Sequence, residues 1–317
     1  RRRIMEITGV AGITGLAGCT GGGGEGETET TTESGGEEET ETETTAASEQ
    51  RGGTIRVDLP RVPSNCIPVS GTGLEDYMLG SLLYAKVTDL GRNNLEVVPD
   101  LATDWEANED GSEWTFTLRE GATFNTIDKE VLAEDVKAFF DAVQDEEYMP
   151  GARGIMGPIE SVEVINDYEV LFKYGGPYAS GPAHLTARYG GVLPKEVVED
   201  DFEKAATTDY GAGPFNLVDM TPGDRIELEA NPDYFMTDED GNQLPYADKI
   251  VLKSVPDAIA RINRIIEDTS DINWRVSVQN AAKAANSDDA NLVQGPGSGF
   301  IAVCMPTTLE PFGDVRV

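Results

Sequence analysis

The sequence is short of histidine, lysine and cysteine. It holds one histidine, nine lysines and three cysteines in 317 residues. A zinc site is expected to need more His and Cys ligands than this chain offers. His184, in "GPAHLTARYG", is the only imidazole, and no G-x-S-x-G elbow accompanies it. A nucleophilic hydrolase therefore lacks its usual base, and His184 reads as structural. Cys19, Cys66 and Cys304 are too few for a disulfide framework. Cys66 and Cys304 read as free thiols, with pairing between them left open. Long apolar runs are also missing. The mildly apolar stretch Ile4–Ala17 has 14 residues, including Glu6 and three glycines. A membrane-spanning helix needs about 20.

Acid is abundant. There are 58 Asp and Glu against 24 Lys and Arg, a net charge of −34. The first 50 residues hold 11 acids and 3 arginines, so the rest carries 47 acids against 21 bases. The acidity thus belongs to the body as well as to the tail. A lysine-poor acidic surface repels itself in dilute buffer, and salt screens that repulsion. Adaptation to very salty surroundings is expected; the plainer alternative is an ordinary acidic exported protein. Nucleic acid is excluded as a partner, because phosphate binding needs clustered Lys and Arg.

The chain opens "RRRIMEITGVAGITGLAGC" without an initiating methionine, so its first residues are expected to lie upstream. Arg1–Arg3 followed by a short apolar run has the form of an export signal. Arg2 and Arg3, before a Gly-rich stretch, suit the twin-arginine route. Leu16-Ala17-Gly18-Cys19 resembles a lipobox, in which Cys19 is the lipid attachment point. Residues 20–51 are nearly all Gly, Thr, Glu and Ser, an acidic tether expected to be disordered. Its root-mean-square span comes to ~30 Å.

The folded part begins at Gly52. "GGTIRVDLP" (52–60) reads as a strand with Ile55, Val57 and Leu59 on one face. Residues 74–87 look helical. "SEWTFTLRE" (112–120) alternates, with Trp114, Phe116 and Leu118 together. Residues 133–143 carry Ala133, Val136, Phe140 and Val143 at helical spacing. Two alternating runs around Asn166-Asp167 signal a hairpin. Residues 224–230 and 248–255 are further strands. Pro256-Asp257 then opens a helix with Ile259, Ile262, Ile265 and Ile266 on its inner face. The mixture lacks a regular βαβ rhythm, which points to an α/β fold with mixed sheets.

Chemistry-bearing motifs are weak. "GPGSG" (295–299) has no following helix signal and no Lys, so it reads as a turn. "DEDGN" (238–242) lacks the spacing and terminal Glu of a calcium loop, and reads as an Asp-Gly turn. Paired carboxylates, the glycosidase signature, mean little among 58 acids.

Several segments in order carry a resemblance: "GGTIRVDLP", "LEVVPDLATDWEANEDGSEWTFTLREGATF" (95–124), "AEDVKAFFDAV" (133–143), "GPIESVEVINDYEVLFKY" (157–174), "VLPKEVVE" (192–199), "GAGPFNLVDMTPGDRIELEANPDYF" (211–235), "LPYADKIVLKSVPDAIARI" (244–262) and "PFGDVRV" (311–317). Together they resemble the family 5 extracellular solute-binding proteins, the peptide- and nickel-type binding components of ABC importers. Two positions depart from the family. Its His-Asp-Gly turn is replaced by Asn125–Leu132, and its Gly-Thr-Gly-Pro-Tyr is Gly211–Phe215 here.

The resemblance implies a two-lobed, type II periplasmic-binding-protein-like fold that closes on ligand and docks on a permease. Residues 1–19 would be the export signal, 52–255 the first lobe with its inserted subdomain, and 256–317 the start of a second lobe. The chain changes lobe near Val255-Pro256, and most of the second lobe is expected to lie beyond Val317. Asn65, Tyr77 and Phe215 in the first lobe, and Trp274 in the second, are the candidate ligand contacts. No cofactor or metal is implied. The implied partners are a di- or oligopeptide or similar small solute, ABC permease subunits and, through Cys19, the outer face of the membrane. A sensory module of the same fold is the second reading, and an exported hydrolase the third.

Overall fold

The computed structural model describes residues 51–68, 73–91, 96–145, 153–187, 190–274 and 278–287, with residues 276, 290 and 292. Arg2, Arg3, Cys19, residues 20–50 of the tether, Cys304 and the last segment of the resemblance lie outside these. In chain order the elements are β1 (Thr54–Leu59), α1 (Leu74–Leu83), β2 (Thr88–Leu90), β3 (Val97–Pro99), β4 (Ala102–Ala107), β5 (Glu113–Leu118) and α2 (Ala133–Gln144). There follow α3 (Arg153–Met156), β6 (Ile159–Asn166), β7 (Glu169–Tyr174), α4 (Gly181–Leu185) and α5 (Lys195–Asp200). A 3-10 turn (Phe202–Ala206) leads to β8 (Phe215–Thr221), β9 (Arg225–Ala230), β10 (Lys249–Ser254), α6 (Ala258–Ile266), β11 (Ile272–Asn273) and α7 (Val278–Ala285).

Two larger sheets and a small one share a continuous apolar core. The first has the order β11-β1-β10-β9-β8 and is mixed. β1 runs parallel to β10 and β11, while β9 is antiparallel to β10 and β8. The second, β4-β5-β7-β6, is antiparallel throughout, and β2 pairs with β3. The mixed-sheet α/β expectation holds.

The β6–β7 hairpin turns at Asn166-Asp167 as its sequence signals, with Asn166 Oδ1 accepting from Tyr168 N at 2.9 Å. α2 packs across β6 and β7 and buries Val136, Phe139, Phe140 and Val143. Phe140 meets Phe172 edge-on at 5.0 Å, and Phe172 meets Phe116 at 5.4 Å. Such edge-to-face pairs add about 0.5–1.5 kcal/mol beyond area burial. The helix start is held by fully buried Asp135. Its Oδ2 accepts from Leu132 N, and its Oδ1 accepts from Lys195 N at 2.8 Å and Lys129 Nζ at 2.6 Å.

Two helices differ from the sequence pattern. α1 stops at Leu83, four residues short, and Tyr84 turns extended (φ −119°, ψ 138°). The cause is tertiary. Gly213 N donates to Leu83 O at 2.9 Å, and Tyr84 Oη donates to Cys66 O at 2.8 Å. In α6, Asp257 caps the first turn by accepting from Ala260 N at 2.6 Å. The buried face is Arg261 and Ile262; Ile265 and Ile266 are half-buried, and Ile259 is 53% exposed. The all-isoleucine inner face is therefore corrected: an arginine shares the buried face with Ile262.

The same helix alters the picture around Val255-Pro256. Instead of leaving the first sheet there, residues 258–273 loop over it and return as β11 on the far side of β1. The sheet that β1 begins extends as far as Asn273.

Candidate functional site

β1, β10 and β11 are parallel neighbours, so their carboxyl ends meet at one edge of the sheet. That edge is where open α/β sheets bind ligands. Three segments leave it: the loop from Pro60 to Pro68, the turn Val255–Asp257 and the chain at Trp274. Trp274 N donates to Asp58 O at 3.1 Å, which pins the Trp274 backbone beside β1, and the residue is 37% exposed. Asn65 is half-buried, and its Oδ1 accepts from Ile67 N at 3.1 Å. Arg61 pairs with Asp76 and Glu75 and so ties the loop to the first turn of α1.

Arginines tie α6 and β11 to β1. Buried Asp58 accepts from Arg264 Nε at 2.7 Å. Arg56 grips Asp271 through Nε and Nη2, both at 2.9 Å, and reaches Asp268. Arg261 spans two strand ends. Its Nη1 donates to Val255 O and Pro256 O at 2.7 and 2.9 Å, and its Nε to Asn273 Oδ1 at 3.0 Å. β1 lies between those strands, so the guanidinium sits across its end.

Tyr77, on α1, lines a crevice of about 10 Å³ with Pro68, Gly80, Ser81, Tyr84, Lys86 and Gly191. That is room for about one water-sized group. Lys86 Nζ lies 5.4 Å from the Tyr77 ring centroid and pairs with Asp89. Behind it, buried Asp100 Oδ2 accepts from Lys86 N at 2.7 Å, while Oδ1 has no partner among the described residues. Burial pushes the Asp100 carboxyl up to about 7, only partly opposed by the Lys86 N–H.

The raised value has a definite sign. Unfolded, Asp100 would ionise near pH ~3.9. Between there and about 7 the folded state holds the proton and the unfolded state does not. Its contribution to stability is full in acid and is lost as pH rises through that window. Asp100→Asn does not ionise and should gain on the parent between pH 5 and pH 8 in urea unfolding. A constant difference across that range would show that Asp100 does not titrate there.

Phe215 is not brought to this edge. It pairs with Ala230, at the opposite end of the sheet, and its side chain is 5% exposed in the core. Around it runs a buried polar network. Asn125 Nδ2 donates to Asp209 Oδ2 and Phe215 O, both at 3.0 Å. Asn231 Nδ2 donates to Asn125 Oδ1 at 3.1 Å and Gly213 O at 3.0 Å. Burial raises the Asp209 carboxyl, against the hydrogen bonds it accepts from Asn125, Gly211 and Leu217. Asn125, the departure from the family's His-Asp-Gly turn, thus joins β8 to the rest.

Of the motifs read as turns or as structural, "GPGSG" (295–299) lies outside the described residues. His184 is half-buried against the Tyr178 hydroxyl and Ser180 O. Asp238 spends both oxygens on its own turn and on Tyr246, whose hydroxyl does most to hold it down to about 2. Among the described residues no group of three or more His, Cys, Asp or Glu is placed to hold a metal. Cys66 is a buried free thiol, which burial pushes up to about 12. No helix among the described residues is long and apolar enough to cross a membrane. Sequence reasoning missed Arg261; the available signal was an arginine at the centre of an otherwise apolar helix face.

Mixed sheets with loops at the ends of parallel strands fit the fold of periplasmic binding proteins. Solved structures agree. The protein AgaA of A. tumefaciens R10, in complex with agropinic acid, superposes with a TM-score of 0.69 at 23% identity, covering 74% of this chain and 46% of its own. The oligopeptide-binding protein AppA of Bacillus subtilis, in complex with a nonapeptide, gives 0.65 at 26% identity, covering 75% and 47%. In sequence, the dipeptide-binding protein of Escherichia coli K12 is 27% identical over 258 residues, 74% of this chain and 47% of that protein. The chain spans about half the length of the relatives it matches. Residues 96–317 match the profile described as bacterial extracellular solute-binding proteins, family 5 Middle. The chain belongs to the family 5 extracellular solute-binding proteins.

Proposed function

We propose that the protein is the solute-capturing component of an ABC importer, taking a di- or oligopeptide or a similar small solute outside the membrane and passing it to a permease. The observation that carries this is the convergence of the Pro60–Pro68 loop and Trp274 at the carboxyl ends of β1, β10 and β11, within a chain of this family. Relatives named for dipeptides and oligopeptides support the solute class. Asn65, Tyr77 and Trp274 are the proposed ligand contacts. Phe215, buried at the opposite end of the sheet, is not proposed as a contact.

The change of lobe is proposed to follow Trp274, since the chain remains in the first sheet through Asn273. Export through residues 1–19, with Arg2 and Arg3 in the signal, and lipid attachment at Cys19 would leave residues 20–51 as a leash on the outer face of the membrane. The acidic, lysine-poor surface fits work in concentrated salt; a melting temperature unmoved by added KCl would count against that.

The test is small-angle scattering of the complete gene product with and without a peptide library. Capture of ligand between lobes should shrink the radius of gyration. A radius unchanged by every peptide would sink the proposal.

A further inference from the structure

The loop at residues 60–68 belongs to no helix or strand, yet it is fastened at several points. Pro60, Pro63 and Pro68 fix φ along it. Val62, Pro63 and Cys66 are buried, while Ser64 is exposed and Asn65 half-buried. Arg61 reaches the first turn of α1 through Asp76 and Glu75. Cys66 is tied from two sides. Its N donates to Ala206 O at 3.0 Å, and its O accepts from Tyr84 Oη at 2.8 Å. Tyr84 directly follows the last residue of α1. The loop is thus fastened to both ends of the helix that carries Tyr77, and Pro68, Tyr77 and Tyr84 line one small crevice.

Tyr84 is 2% exposed, and its side chain is caged. A Cβ added at Gly191 would stand 2.7 Å from Tyr84 Cβ, and one at Gly211 would stand 2.9 Å from Tyr84 Cδ1. Backbone therefore closes on the side chain from two segments. A phenylalanine would fill the same cage. The hydroxyl adds a polar atom that has to be paired once it is buried. It spends its hydrogen on one loop carbonyl, that of the residue next to Asn65. Burial pushes the Tyr84 phenol well above its usual value, so it stays a donor.

We propose that Tyr84 is a positioning residue of the solute site: by holding the Cys66 carbonyl it fixes the backbone that carries Asn65 before solute arrives, and so sets the affinity without touching solute. This rests on the solute-binding reading above. A loop ordered in advance loses less freedom when solute binds. Removing the hydroxyl takes a donor from the Cys66 carbonyl and opens other arrangements of the loop, in which Asn65 is displaced.

The experiment compares two conservative losses of a buried hydroxyl. Tyr84→Phe removes the tie to the loop. Thr88→Val removes the bond from Thr88 Oγ1 to Pro182 O at 2.7 Å, which joins β2 to α4. Melting curves of the complete gene product should move down in both. Calorimetric titration with di- and oligopeptides should show binding about 3- to 10-fold weaker in Tyr84→Phe and unchanged in Thr88→Val. Hydrogen exchange in the parent needs no variant, and it decides if Tyr84→Phe does not fold. The Cys66 amide should be protected before peptide is added and little more protected afterwards. Parent-like affinity in Tyr84→Phe overturns the inference, as does an equal loss in Thr88→Val or a Cys66 amide protected only with peptide bound. Each of these leaves solute binding intact. Failure of every peptide to bind the parent overturns the peptide reading and the inference together.

Discussion

Gly211→Ala should leave the protein unfolded or less stable by about 3 kcal/mol or more. A Cβ at this position would stand 1.8 Å from Leu83 O and 2.6 Å from Leu83 C. Both obstacles are backbone, at the end of α1, and neither can swing aside. The close approach is what lets Gly213 N reach Leu83 O and end the helix. Shifting the 211–213 segment would also break the Asn125–Asp209–Asn231 network behind it, leaving buried polar groups unpaired. Gly80→Ala is the internal comparison. It lies within α1, and nothing stands within 4 Å of its Cβ. That change should stabilise by about 0.5–1 kcal/mol through helix propensity. Urea unfolding of both variants gives the two signs side by side; a Gly211→Ala protein as stable as its parent would contradict the geometry.

Arg264→Met should cost about 3–5 kcal/mol, because it strands the carboxylate of Asp58 in the interior. Asp58 is 1% exposed, and Arg264 Nε is its charged partner at 2.7 Å. Adding Asp58→Leu should restore much of the loss, since replacing both members of a buried pair by apolar groups is often neutral. The single variant has a local signature as well. Arg264 also donates to Thr269 O, and Asp58 O accepts from Trp274 N, so β11 should open more readily. Faster hydrogen exchange at the Trp274 amide would show it. A double variant no better than the single one would mean that the pair is not what holds α6 down.

The sequence announced the elements that rest on local rules. The Asn166-Asp167 hairpin, the α2 stripe of Val136, Phe140 and Val143, and the alternation through Phe116 and Leu118 follow from period and turn chemistry. Long-range contacts were not legible. α1 ends where it does because Gly213 arrives from 130 residues further along the chain. β11 is two residues long, too short to alternate, and exists because β1 offers it an edge. With 58 acids, nothing local distinguished Asp58, Asp100, Asp135 and Asp209, which are buried, from the solvated majority. The family segments singled out Asn65 and Trp274, and both follow strands that end at one edge. They did not separate these from Phe215, whose strand begins at the opposite edge. Arg261 escaped because amphipathic reasoning sorts arginine to the solvent side, whereas here two strand ends supply its acceptors.

The placement of the site is tested most directly by a crystal structure of the complete gene product grown with a bound peptide. The account predicts ligand density at the carboxyl ends of β1, β10 and β11, against the Trp274 indole. Density seated instead in the open depression lined by Thr123, Thr126, Asp128 and Asp233, with the strand ends empty, would contradict it.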